Sequence, residues 1–146
     1  MPFLFFHQLG DYAIEQNSII CLEPNPACYG SNFLLDTNET AQMVALINHP
    51  AIKMQFDTGA LAINHENVEM IIKNFSPIIG HIHISEPGLK ELGHGDVSHQ
   101  EISNILKKYL PNSLITIEMK ATEDVEHLTS IKQAVNFANS VYIENA

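Results

Sequence analysis

Apolar residues in this chain alternate between short continuous runs and longer stretches spaced for a helix face. The runs are Ser18-Ile19-Ile20-Cys21-Leu22-Glu23, Ile52-Lys53-Met54-Gln55-Phe56-Asp57, Ile78-Ile79-Gly80-His81-Ile82-His83 and Leu114-Ile115-Thr116-Ile117-Glu118. Each is too short for a helix and bounded by turn formers, so each predicts a strand. Between them lie helical patterns. One helix closes at about Leu9 to Gln16, and another starts at Thr37 or Asn38 with Ala41, Val44, Ala45 and Ile47 inward until His49-Pro50. A third runs from about Glu66 to Phe75 on a Val68, Ile71, Ile72, Phe75 stripe. A fourth begins near Ser98 with Ile102, Ile105, Leu106 and Tyr109 inward. The last spans about Glu123 to Tyr142, with Leu128, Ile131, Ala134, Val135 and Ala138 inward. Strands that read as near-continuous apolar runs, alternating with helices, predict an α/β fold whose parallel sheet is covered by helices.

Composition narrows this further. The chain has 146 residues, 45% of them hydrophobic, enough for one domain spanning 1–146 with its own core. Seven basic against seventeen acidic residues give a formal charge of −10, which argues against a nucleic-acid surface. Two cysteines, Cys21 and Cys28, are too few for a disulfide framework and point to reduced thiols and a cytoplasmic setting. The Phe3-Leu4-Phe5-Phe6 patch lacks the flanks of a signal peptide, and no apolar run reaches membrane-spanning length.

The chemistry sits where the strands end. Glu23, Asp57, His83 and Glu118 each lie at or next to the C-terminal end of a run. That rim is where a parallel α/β barrel builds its active site. Two glutamates, an aspartate and a histidine on one rim form a donor set for a hard or borderline divalent cation. His81 and His83 share one strand face, so one can ligate while the other supplies a nearby hydrogen bond. Thr116, Glu118 and Lys120 share a face of the last strand. The loop Gly93-His94-Gly95-Asp96 matches no phosphate-binding motif and reads as a flexible lead into a helix. His7, His49, His65, His99 and His127 have no partner pattern and read as surface residues.

Leu22-Glu23-Pro24-Asn25-Pro26, Phe56-Asp57-Thr58-Gly59, Gly80-His81-Ile82-His83-Ile84-Ser85-Glu86, Gly93-His94-Gly95-Asp96-Val97 and Ile117-Glu118-Met119-Lys120 together resemble the xylose isomerase-like (β/α)8 superfamily. That superfamily contains sugar isomerases and epimerases and the endonuclease IV-like proteins. Order and spacing match strands five to eight, so the resemblance implies four consecutive βα units, the C-terminal half of a TIM-type barrel. It implies one divalent ion (Mn, Mg, Co or Zn) held by Glu23, Asp57, His83 and Glu118. Glu23 and Glu118 would be the acid–base pair that moves a proton beside the carbonyl of a sugar or sugar phosphate. Tyr29, His81, Glu86 and Lys120 are the expected substrate-side residues. Ala60 and Leu89 stand where family members carry a substrate-binding histidine and arginine, and Tyr29 where they carry a glutamate. A full barrel takes about 250 residues, so the expectation is a homodimer, a separate chain supplying the other half, or a fragment that needs a partner. The competing expectations are a non-catalytic half-barrel remnant and an apurinic-site phosphodiesterase.

Overall fold

Four short strands follow one another through the chain: β1 (Ile20–Leu22), β2 (Ile52–Asp57), β3 (Ile79–Ile84) and β4 (Ile115–Ile117). In the computed structural model, which describes residues 2–121 and 125–143, they pair in sequence order into one sheet. Every pair is parallel, with Leu22 opposite Met54, Asp57 opposite His83 and His83 opposite Thr116. Parallel neighbours need crossovers, and helices supply them. These are α1 (Pro2–Glu15), α2 (Thr37–Ile47), α3 (Thr58–Ile63), α4 (Val68–Phe75), α5 (His99–Tyr109) and α6 (His127–Ala138). After α6 the chain widens into a π-helical turn, Asn139–Ile143.

The core lies between sheet and helices. Phe56, Ile82 and Ile84 project from β2 and β3 onto Ile71 and Ile72 of α4 and Ile102 and Leu106 of α5. Met54 meets Ala41 and Val44 of α2 in a smaller cluster. A one-residue irregularity, at which Met54 pairs with Ile79 but Gln55 with His81, adds Gly80 to β3. A Cβ on Gly80 would come within 2.9 Å of Lys53, Ile19 and Cys21, so only glycine fits that bulge.

Several sequence expectations change here. The helix expected to end over about Leu9 to Gln16 does so, running Pro2–Glu15, but other elements differ. An unexpected helix, α3, follows β2 directly because the Asp57 carboxylate caps it, accepting from Ala60 N at 2.6 Å. The outer strands are shorter than their apolar runs, and Leu114 is 75% exposed. Of the expected inward residues of α6 only Ala134 is buried; Leu128, Ile131 and Val135 are exposed, as is Ala45 of α2. The physical reason for α6 is position: it belongs to the last unit, and among the described residues nothing buries the face carrying Leu128, Ile131 and Val135. The proposed start of that helix at Glu123 lies outside the described residues. His99 is buried rather than on the surface, and the His49 side chain is mostly buried beside Asp11. Among the described residues no helix is long and apolar enough to cross a membrane.

Candidate metal centre

All four predicted ligands meet at the C-terminal rim of the sheet. Glu23 follows β1 and is fixed in direction by Pro24, Asp57 ends β2, His83 is next to last in β3, and Glu118 follows β4. The Glu118 amide still donates to Ile84 O at 3.1 Å, so the ladder holds its backbone one residue beyond the strand. One ligand atom from each of Glu23, Asp57, His83 and Glu118 falls within 4.8 Å of the others. His83 Nδ1 is central, 3.1 Å from Glu23 Oε1 and 3.3 Å from Glu118 Oε2.

The electrostatics are those of crowded anions. Burial raises the Glu23 carboxyl above the ordinary carboxylate range, and the charges of Glu118 and Asp57 push it further. Burial and the Asp57 charge do the same to Glu118. Among the described residues the only ion-pair partner of these two glutamates is the His83 ring. Three carboxylates and one imidazole on so small a perimeter suit a divalent cation in both charge and donor type.

Asp57 is the most tightly held of the four. Its Oδ1 caps α3 and its Oδ2 accepts from the Ser85 hydroxyl at 2.8 Å. Ser85 is itself clasped by Thr58, whose hydroxyl accepts from Ser85 N at 2.8 Å and donates to Ser85 O at 2.7 Å. Ser85 lies at the i+2 step from His83, so the alternation that flagged the two histidines extended to it.

The expected substrate-side residues divide. Tyr29 reaches over the rim and lines a cleft of about 350 Å³ above the cluster, together with Pro24, Pro26, Ala60 and Leu89. Its hydroxyl accepts from Gly88 N at 2.7 Å, joining the loop after β1 to the loop after β3. His81 sits one step down the strand, bonded through Nε2 to Thr116 Oγ1 at 2.8 Å and edge-on to His83 at 5.4 Å. Burial, and then the neighbouring His83, lowers its pKa. The Lys120 side chain is exposed, while its amide donates to Leu89 O at 2.9 Å.

Glu86 is not brought to the cleft. It is 1% exposed, and its carboxylate accepts from Gly93 N, Val97 N and His99 Nε2. His99 Nδ1 in turn bonds the Tyr142 hydroxyl at 2.6 Å. Burial keeps this imidazole neutral by lowering its pKa, and it raises the Tyr142 phenol. The glycine-rich loop is therefore tied down from beneath, in place of the flexibility its composition suggests. Sequence reasoning missed Ser85, Thr58, His99 and Tyr142.

A parallel half-barrel with ligands at its C-terminal rim defines a TIM-barrel protein with a candidate cation site. The chain belongs to the family described as xylose isomerase-like TIM barrel, which matches residues 5–141. No curated protein sequence matches it. Among solved structures it resembles a D-psicose 3-epimerase crystallised in the presence of D-fructose (TM-score 0.84, 16% identity), covering 96% of this chain and 55% of that one. It also resembles a D-allulose 3-epimerase from Methylomonas sp. in complex with D-allulose (TM-score 0.80, 20% identity), with coverages of 96% and 54%. An AP endonuclease, family 2, from Brucella melitensis is similar too (TM-score 0.79, 14% identity), with coverages of 92% and 52%. The chain thus spans about half the length of these structures.

Proposed function

We propose that this chain carries the metal centre and the proton-transfer glutamates of a divalent-metal-dependent sugar or sugar-phosphate isomerase/epimerase. In this reading it is a single domain, 1–146, forming strands five to eight of the barrel. The observation that carries the reading is the convergence of Glu23, Asp57, His83 and Glu118 within 4.8 Å.

Those four residues would hold one Mn, Mg, Co or Zn ion. When bound, the ion supplies Lewis-acid stabilisation of charge developing at a carbonyl and its neighbouring hydroxyl. Glu23 and Glu118 come from the two outermost strands and approach the cluster from opposite ends of the sheet. One takes a proton from the carbon beside the carbonyl and the other returns one. Without the cation, burial raises the carboxyl pKa of both, and a bound divalent ion would act in the opposite direction. Asp57 and His83, from the inner strands, fix the centre. Tyr29, with its acceptor side satisfied by Gly88 N, keeps its proton for a substrate hydroxyl. Lys120, exposed beyond β4, would serve a polar or anionic substrate end, while His81 and Glu86 would support the rim through their hydrogen bonds to Thr116 and to Gly93, Val97 and His99.

A second half-barrel is part of this proposal, from a second copy of the chain or from a separate one. Among the described residues β1 and β4 each present an unpaired edge, and such edges recruit strands. Ala60 and Leu89 in the cleft favour a second reading, a half-barrel that binds metal without turnover. The test is Glu118→Gln, assayed on ketoses and ketose phosphates beside a metal titration. Turnover should vanish and metal affinity fall; a variant retaining both would sink the assignment. Turnover of any sugar by the unmodified chain would exclude the non-catalytic reading.

A further inference from the structure

We propose that Ser85 is a positioning residue for Asp57, setting the orientation in which that carboxylate meets a divalent cation. The inference rests on the four-residue cation site proposed above and names a residue outside it. Ser85 is fully buried directly after β3, and a hydroxyl has one proton to give. Gly59 N donates to Ser85 Oγ at 3.0 Å, which occupies an acceptor position and leaves the proton for Asp57 Oδ2 at 2.8 Å. The opposite oxygen, Oδ1, accepts from Ala60 N at 2.6 Å. Each carboxylate oxygen therefore has one internal donor, and the carboxylate cannot rotate about its Cβ–Cγ bond without breaking one of them.

The clasp is specific in its parts. A Cβ on Gly59 would lie 2.6 Å from Ser85 Oγ, so glycine is needed for the hydroxyl to reach the amide. The Thr58 hydroxyl pins the Ser85 backbone through both its N–H and its carbonyl. Three consecutive residues from the end of the strand, Asp57-Thr58-Gly59, thus each engage Ser85. Residues that orient a ligand in this way commonly contribute 10- to 100-fold to metal affinity.

The experiment is a Mn2+ titration of the full chain, its Ser85→Ala variant, Asp57→Asn, and the double variant, with thermal unfolding of each metal-free protein. Ser85→Ala should weaken Mn2+ binding by roughly 10- to 100-fold, and the same change made on Asp57→Asn should have almost no effect. The Co2+ absorption spectrum should shift in Ser85→Ala, since the ligand carboxylate is free to turn. Ser85→Cys, close in size with a weak S–H donor, should show the same loss in smaller measure and serves where the alanine variant does not fold. Unchanged affinity in Ser85→Ala, or the same factor lost on both backgrounds, would overturn the positioning role while leaving the four-residue site intact. A wild-type chain that binds no Mn2+ overturns the site itself, and this inference with it.

Discussion

The inner and outer strands of this sheet are built to different standards. β2 and β3 carry Phe56, Ile82 and Ile84, all at 1% exposure or less, and their rim residues Asp57 and Ser85 are interlocked by hydrogen bonds. β1 and β4 have three residues each, with one edge unpaired, and their rim residues Glu23 and Glu118 keep 43% and 36% side-chain exposure. The fold thus divides the site's work. In the proposed reading Asp57 would be a fixed ligand, its cost of desolvation met by donors already in place on Ser85 and Ala60. The exposed pair supplies carboxylates with room to change protonation and position. The proton transfer proposed for Glu23 and Glu118 would need that freedom.

Core truncation tests the contrast most severely. Phe56→Ala should cost about 3–5 kcal/mol of unfolding free energy, whereas Leu114→Ala should stay within about 0.5 kcal/mol. Urea titration compares the two directly. An equal cost at Leu114 would show that assembly buries the outer edge. The next largest effect divides the ligands. Asp57→Asn should weaken Mn2+ binding by more than the roughly 100-fold upper value for a merely supporting residue. Glu23→Gln should lose less affinity and more turnover, and calorimetry beside a sugar assay reads both. If Glu23→Gln proves the worse binder, the division between fixed and working carboxylates fails.

The smallest effect is one of pH. His99 has a folded pKa below its ordinary value of 6.5, chiefly through burial. Its neutral form is the one the folded protein prefers, so that stability is complete above pH 6.5. It is lost as pH falls from there through the depressed folded value, by about 1.4 kcal/mol per unit of depression. His99→Phe should flatten this part of the melting-temperature profile. A variant that still loses stability over the same interval would assign it to other groups.

How much of this was legible beforehand follows the same division. The runs ending in Asp57 and His83 were plain because Met54 and Phe56, like Ile82 and Ile84, recur at the two-residue strand spacing on the helix-covered face. The ends of β1 and β4 were overestimated because apolar residues there continue past the point where a neighbour is available to pair. Periodicity placed Leu128, Ile131 and Val135 inward, but it reports which residues share a face and is silent on whether a partner covers that face. Helix α3 escaped notice because its six residues, Thr58–Ile63, span fewer than two turns. His99 looked like a surface residue because its partners Glu86 and Tyr142 lie 13 and 43 residues away in sequence.

All four candidate ligands come from consecutive strands of one half-barrel. Such a site can be inherited whole. Recombination that exchanged the companion half would bring new walls to the cleft while transmitting the cation-binding apparatus unchanged. New specificities would then arise by shuffling gene segments, with no need to rebuild the inorganic chemistry each time.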